Sequence, residues 1–137
     1  MVFNRINIII KHKILCPFQY GFPKQCSTEH ALLDIVGKIQ KYMDEKLFSC
    51  GIFIDLHKAF DTVDHNILLY KLHPYGIRVV INKWFCSYLT GRFQTTQIET
   101  KISKKEAVGC GVAHGSVLGL LLFLLYINDI SASSSII

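Results

Sequence analysis

Asp55, Asp61 and Asp64 fall within ten residues of one another in the stretch CGIFIDLHKAFDTVDHNIL, residues 50–68, and Asp55 directly follows an apolar run ending at Ile54. A carboxylate at the end of a buried strand is costly unless something pairs with its charge. Mg²⁺ is one such partner, because it takes oxygen ligands and prefers one or two carboxylates together with substrate phosphates. The plainer alternative is an aspartate that caps the loop after the strand. An aspartyl-nucleophile phosphohydrolase would place a second carboxylate two residues beyond the first. His57 stands there instead, so that chemistry lacks its acid–base partner.

These residues need elements to position them. STEHALLDIVGKIQKYMDEK, residues 27–46, offers Ser27 and Thr28 as N-caps and places apolar residues at 32, 35, 36, 39 and 43, the spacing of one helix face. LFSCGIFI, residues 47–54, is apolar without polar alternation, which predicts a strand covered on both faces and leaves Asp55 at its carboxyl end. Asp64 is placed to cap a helix over HNILLYKLHPYG that Pro74 and Gly76 close, and INKWFCSYLTG reads as a second helix ending at Gly91. RFQTTQIE and EAVGCGV, joined through TKISKK, read as a hairpin, and GSVLGLLLFLLYINDI as a loop entering a buried helix. The tail, 131–137, is polar, unpatterned and expected to fray. The expected class is α+β, helices packed on a small mixed sheet.

Half of the 137 residues are hydrophobic and 18% are charged, the composition of a chain that buries a core and not of a disordered one. Fifteen Lys and Arg against ten Asp and Glu give a formal charge of +5, which suits a polyanionic partner without requiring one. The five cysteines are odd in number, widely spaced and never C-x-x-C. No disulfide partner and no zinc site are expected, and reduced thiols fit an intracellular protein, nuclear or cytoplasmic. The longest apolar run, VLGLLLFLLYI at 117–127, is about half of the ~20 residues a membrane helix needs, so no membrane is expected.

FIDLHKAFDTVDHNIL resembles motif A of the reverse transcriptases of non-LTR, LINE-type retrotransposons. The resemblance continues in QYGFPKQCSTEHALLDIV before it and YGIRVVINKWFCSYLTGRFQTTQI after it, and GCGVAHGSVLGLLLFLLYINDI resembles motif B. It covers roughly residues 16–130 with the motifs in order, which is more specific than any single motif. It implies a partial right-hand polymerase fold, with about 1–49 fingers-like and 50–130 palm-like. It also implies an RNA template, a DNA primer, deoxynucleoside triphosphates and Mg²⁺. In that family two metal ions clamp the attacking and leaving oxygens of phosphoryl transfer.

By motif, Asp55 matches the catalytic palm carboxylate that holds metal, and Phe60 the aromatic gate whose flat ring leaves no room for a 2′-hydroxyl. Gly115 and Ser116 match the motif B turn, where a small residue admits backbone close to the nucleotide. Asp61 reads as a loop or salt-bridge residue and Asp64 as a helix cap. His57, His65 and His114 sit on separate elements without ligand spacing, and a solvated or capping role is expected of them as a group. Trp84, Phe85 and Tyr88 read as core, and Lys101, Lys104 and Lys105 as a basic hairpin tip that could touch phosphate.

The chain departs from the family pattern at several positions. Motif B usually carries Pro-Gln before Gly-Ser and a proline after the leucine; here Ala113, His114 and Leu120 stand there. His114 takes the place of a glutamine that hydrogen-bonds near the nucleotide, and it can become charged. Gly-Phe-Arg in the fingers becomes Gly21, Phe22 and Pro23, which removes a guanidinium suited to phosphate. The Ala-Asp-Asp of motif C does not appear, and Asp129 matches the Asn-Asp that precedes it. The expectation is a polymerase fragment, cut before motif C, that is inactive alone because two of three palm carboxylates are missing. The alternatives are a non-catalytic nucleic-acid-binding remnant and an unstable pseudogene product.

Overall fold

The computed structural model describes residues 15–22 and 26–130. Pro23, the stretch before Leu15 and the tail 131–137 lie outside these residues, and with them the reading of the tail as frayed. The chain divides into two compact units, Cys16–His57 and a second formed by 58–130 with Leu15.

The first unit is built on one helix, α1 (Thr28–Asp44). Its N-cap is Ser27, whose hydroxyl accepts from the His30 amide at 3.3 Å and so satisfies one of the orphan donors of the first turn. Ion pairs between Asp34 and Lys38 and between Lys41 and Glu45 lie four residues apart along the helix, and the Tyr20 hydroxyl donates to Asp34 at 3.0 Å. No residue of α1 is buried. Leu32, Leu33 and Met43 are each more than 60% exposed.

Residues 47–54 correct the sequence reading: they form no strand, and Phe48, Ile52, Phe53 and Ile54 are exposed. A central strand exists only through the neighbours that hydrogen-bond to it. The two sheets among the described residues pair other segments. Asp55 therefore follows an exposed irregular stretch, not a buried strand.

The second unit is helical at its centre. Helix α2 (His65–Lys71) is capped by Asp64, whose Oδ1 accepts from the amides of Asn66 and Ile67 at 2.8 and 3.0 Å. Helix α3 (Val79–Leu89) ends before Gly91, which turns the chain at φ +68°, a conformation that only glycine adopts freely. Leu68, Phe85 and Leu89 from these helices, with Leu72 at the C-terminal cap of α2, pack with Val63, Ile77 and Val112. They enclose α4 (Val117–Ile127), in which Leu121 to Leu125 are all buried. A helix apolar on every side needs neighbours around it. Polar ties fix them: Lys71 donates to the Tyr126 carbonyl and to Asp129, Asn82 to the Leu69 carbonyl, and Asn128 to the Tyr75 hydroxyl.

Between α3 and α4 runs one long hairpin. Strand β1 (Arg92–Gln94) pairs antiparallel with β4 (Glu106–Val108), and β2 (Gln97–Ile98) with β3 (Lys101–Ile102), with Phe93 opposite Ala107 and Ile98 opposite Lys101. The expected small mixed sheet is thus two antiparallel pairs, because each strand's partner is its own hairpin neighbour. The reversal falls at Glu99 and Thr100, so the lysines lie on the returning arm and not at the tip. The class is α+β. Among the described residues no helix is long and apolar enough to cross a membrane.

Candidate functional site

The residues that match motifs A and B in the second unit come together around one turn and one loop. Residues 58–62 form the turn, with the Asp61 amide donating to the Lys58 carbonyl at 2.8 Å. The loop 109–116 lies against it. The Val112 amide donates to the Phe60 carbonyl at 2.9 Å and the Gly111 amide to the Val63 carbonyl at 2.8 Å. Gly111 has φ +89°, and a Cβ there would stand 2.9 Å from the Asp61 backbone. The approach is closer than any side chain permits.

His65 closes the joint. It is buried, and its Nε2 lies 2.8 Å from the Gly111 carbonyl oxygen. The expected solvated or capping role is corrected for this histidine: Asp64 does the capping and His65 is a buried tie between α2 and the loop. A sequence signal existed, because His65, Leu68, Leu69 and Leu72 fall at helical spacing on the apolar face of α2.

That joint brings Phe60 and His114 into contact. Their rings meet edge to face at 4.8 Å between centroids, and Phe60 stacks on Phe123 of α4 at 4.2 Å. Phe60 is half-buried and His114 exposed. Gly115, at φ +80°, turns the chain into α4. Ser116 caps that helix: its hydroxyl donates to the Ala113 carbonyl and accepts from the Gly119 amide, both at 2.9 Å. Gly119, which sequence reasoning passed over, is buried, and a Cβ on it would run into the Ala113 carbonyl oxygen. A glycine inside an apolar helical run is the pattern that could have found it.

The residues expected at the site belong to two units. Phe60, His114, Gly115 and Ser116 share one turn–loop–helix assembly, while Asp55 belongs to the first unit and is exposed. Asp61 is exposed in the turn. Among the described residues no three or more His, Cys, Asp or Glu side chains gather where they could hold a metal ion. Mg²⁺ is held by one or two carboxylates together with substrate phosphates, so Asp55 offers one ligand of the set that the resemblance implies, and the described residues add no cluster to it. Trp84 is 44% exposed and stacks on Tyr88, whereas Phe85 is core.

Charge near the site is modest. The Lys71 ammonium, 2.6 Å from Asp129, holds the Asp129 carboxyl below the ordinary carboxylate range. Beside the 58–62 turn, at the base of the hairpin, a groove of about 460 Å³ is lined by Lys58, Asp61, Arg92, Gln94, Cys110 and His114, among others.

The sequence family described as reverse transcriptase (RNA-dependent DNA polymerase) matches residues 1–135. The chain belongs to the reverse transcriptase family. It is 32% identical over 120 residues to the RNA-directed DNA polymerase from mobile element jockey of Drosophila melanogaster, covering 85% of this chain and 13% of that protein. The probable RNA-directed DNA polymerases from transposon BS and transposon X-element of the same organism are 31% and 33% identical, over 95% and 90% of this chain and 14% of each of those proteins. The reverse transcriptase chain thus spans about one seventh of the length of these relatives and resembles a fragment of a LINE-type retrotransposon polymerase. No solved structure gives a significant match.

Proposed function

We propose that this chain is the fingers–palm segment of an RNA-directed DNA polymerase of a retrotransposon, part of a right-hand fold with about 1–49 fingers-like and 50–130 palm-like. The observation that carries the reading is the contact of Phe60 with His114 and Phe123, where the loop 109–116 is held by backbone hydrogen bonds to Phe60 and Val63 and by His65. A gate that excludes a 2′-hydroxyl works only if its ring cannot yield. Stacking on Phe123 from one side and contact with His114 at its edge give Phe60 that stiffness.

In this reading the incoming deoxynucleoside triphosphate lies against Phe60, the Gly115–Ser116 turn brings backbone close to it, and His114 offers a ring nitrogen where the family has an amide. Asp55 is assigned, by motif position, one carboxylate toward Mg²⁺, with the other ligands outside the described residues. The template is RNA and the primer DNA.

The test is nucleotide titration of the full chain, followed by amide and ring signals in heteronuclear NMR. Saturable shifts at Phe60, His114, Gly115 and Ser116 are expected, with a deoxynucleotide bound more tightly than its ribonucleotide. In Phe60→Ala, provided its spectrum remains dispersed, that preference should vanish. Shifts elsewhere only, or an undiminished preference in Phe60→Ala, would contradict the assignment.

A further inference from the structure

We infer that the returning arm of the hairpin, with Lys101, Lys104 and Lys105, is a docking surface for an unpaired nucleic-acid strand, an inference that rests on the proposed function and assigns its partner a surface. Three observations support it.

The first is register. Gln94 pairs with Glu106 and Gln97 with Ile102, so residues 95 and 96 on one arm face residues 103, 104 and 105 on the other. Three residues opposite two is a β-bulge, a device that re-aims side chains on the arm that carries the extra residue. Ser103 anchors the bulge: its amide donates to the Thr96 carbonyl, and its hydroxyl accepts from the Thr96 amide and donates to the Lys104 carbonyl, all at 2.9 Å. Lys104 and Lys105 occupy the remainder.

The second is charge that no carboxylate matches. Lys101, Lys104 and Lys105 are exposed, and among the described residues none of them is in an ion pair. Lys38, Lys41 and Lys71, by contrast, are each matched to a carboxylate. Glu99 at the reversal and Glu106 on β4 leave the hairpin with a positive excess, Arg92 included. Unneutralised ammonium groups along an extended arm suit a row of phosphates, each pairing releasing a counterion.

The third is an aromatic face beside the charge. Phe93 is 57% exposed, and the Lys105 ammonium lies 4.8 Å from its ring centroid. An exposed ring next to a cation can stack a base while the cation meets its phosphate, and only an unpaired strand presents a free base face. In the groove at the hairpin base Lys58 and Arg92 outnumber the Asp61 carboxylate, so the positive excess continues toward His114.

The experiment is fluorescence anisotropy of labelled oligo-dT and oligo-U with the full chain across a salt series, and with duplex DNA for comparison. It uses K101Q/K104Q/K105Q, with K38Q/K41Q as a control in the first unit and Phe93→Leu as a separate variant. Circular dichroism melts establish that each variant folds. The triple variant is expected to bind single strands at least about tenfold more weakly at low salt, and its salt slope to shrink by about two, near 0.7 for each phosphate left without its lysine. K38Q/K41Q should stay within about twofold of the parent, and Phe93→Leu should weaken single-strand binding by about tenfold without affecting duplex.

A parent chain that binds strands with the triple variant unimpaired overturns the hairpin assignment and leaves nucleic-acid binding standing. A parent chain that binds no strand at the lowest salt overturns that reading as well. Equal affinity for duplex and single strand, unchanged in Phe93→Leu, overturns the choice of an unpaired strand.

Discussion

The two units of this reverse transcriptase chain treat apolar residues in opposite ways. Helix α1 and the segment after it carry Leu32, Leu33, Met43, Phe48 and Phe53 on the surface, although the helix is well capped and laced with ion pairs. In the second unit each helix buries apolar residues against the others, although Val79, Val80 and Val117 stay exposed, and α4 is buried through five consecutive residues. Caps and periodic spacing mark helices in both units, but short helices draw most of their stability from tertiary packing. What separates them is nonlocal: only the second unit buries its faces against one another.

The largest test of that contrast is a pair of truncations read by urea denaturation. Phe85→Ala, in the core, is expected to cost about 3–5 kcal/mol, whereas Leu32→Ala on α1 should change stability by less than about 0.5 kcal/mol. A large cost at Leu32 would mean that the face of α1 is covered.

Next in size are the residues that join the turn to the loop. Gly119→Ala, which forces a methyl onto the Ala113 carbonyl, is expected to cost about 2–4 kcal/mol and to melt the Ser116 cap, a loss read by thermal denaturation. His65→Ala leaves the buried Gly111 carbonyl unpaired at about 1–3 kcal/mol, and should broaden or shift the Phe60 and His114 ring signals. Unchanged signals would separate His65 from the site. Asp64→Ala removes the cap of α2 and should cost about 1 kcal/mol by the same melts.

The smallest effect is electrostatic. Lys71 lowers the Asp129 pKa in the folded chain, so this pair contributes stability above the unfolded carboxylate pKa of 3.8 and loses it as pH falls through the lower folded value. Asp129 is more than half exposed, and the contribution is below about 1 kcal/mol. Melting temperature should be flat with respect to this pair from neutral pH to about 5 and fall below about 4. Asp129→Asn should flatten that acid limb.

Much of this was legible in the sequence because it is local. Ser27, Asp64 and Ser116 stand one residue before their helices, and the spacing in 27–46 and the run at 117–127 fixed helices to within a few residues. The strand expected at 47–54 failed because apolarity reports a wish for burial, while pairing needs a partner backbone elsewhere in the chain. The two-against-three register of the hairpin and the reach of His65 to Gly111, 46 residues away, follow from tertiary contact that no window of sequence contains. Phe60 and His114 were singled out separately by motif, and their contact appears only in the tertiary structure.

Native-state hydrogen exchange, resolved residue by residue, tests the central claim most directly. Slow exchange is expected at Leu68, Leu72, Gly111 and Val112, with loss of protection at Gly111 and Val112 in His65→Ala and fast exchange through 47–57. Equal protection in both regions, or protection at Gly111 and Val112 that survives the removal of His65, would contradict it.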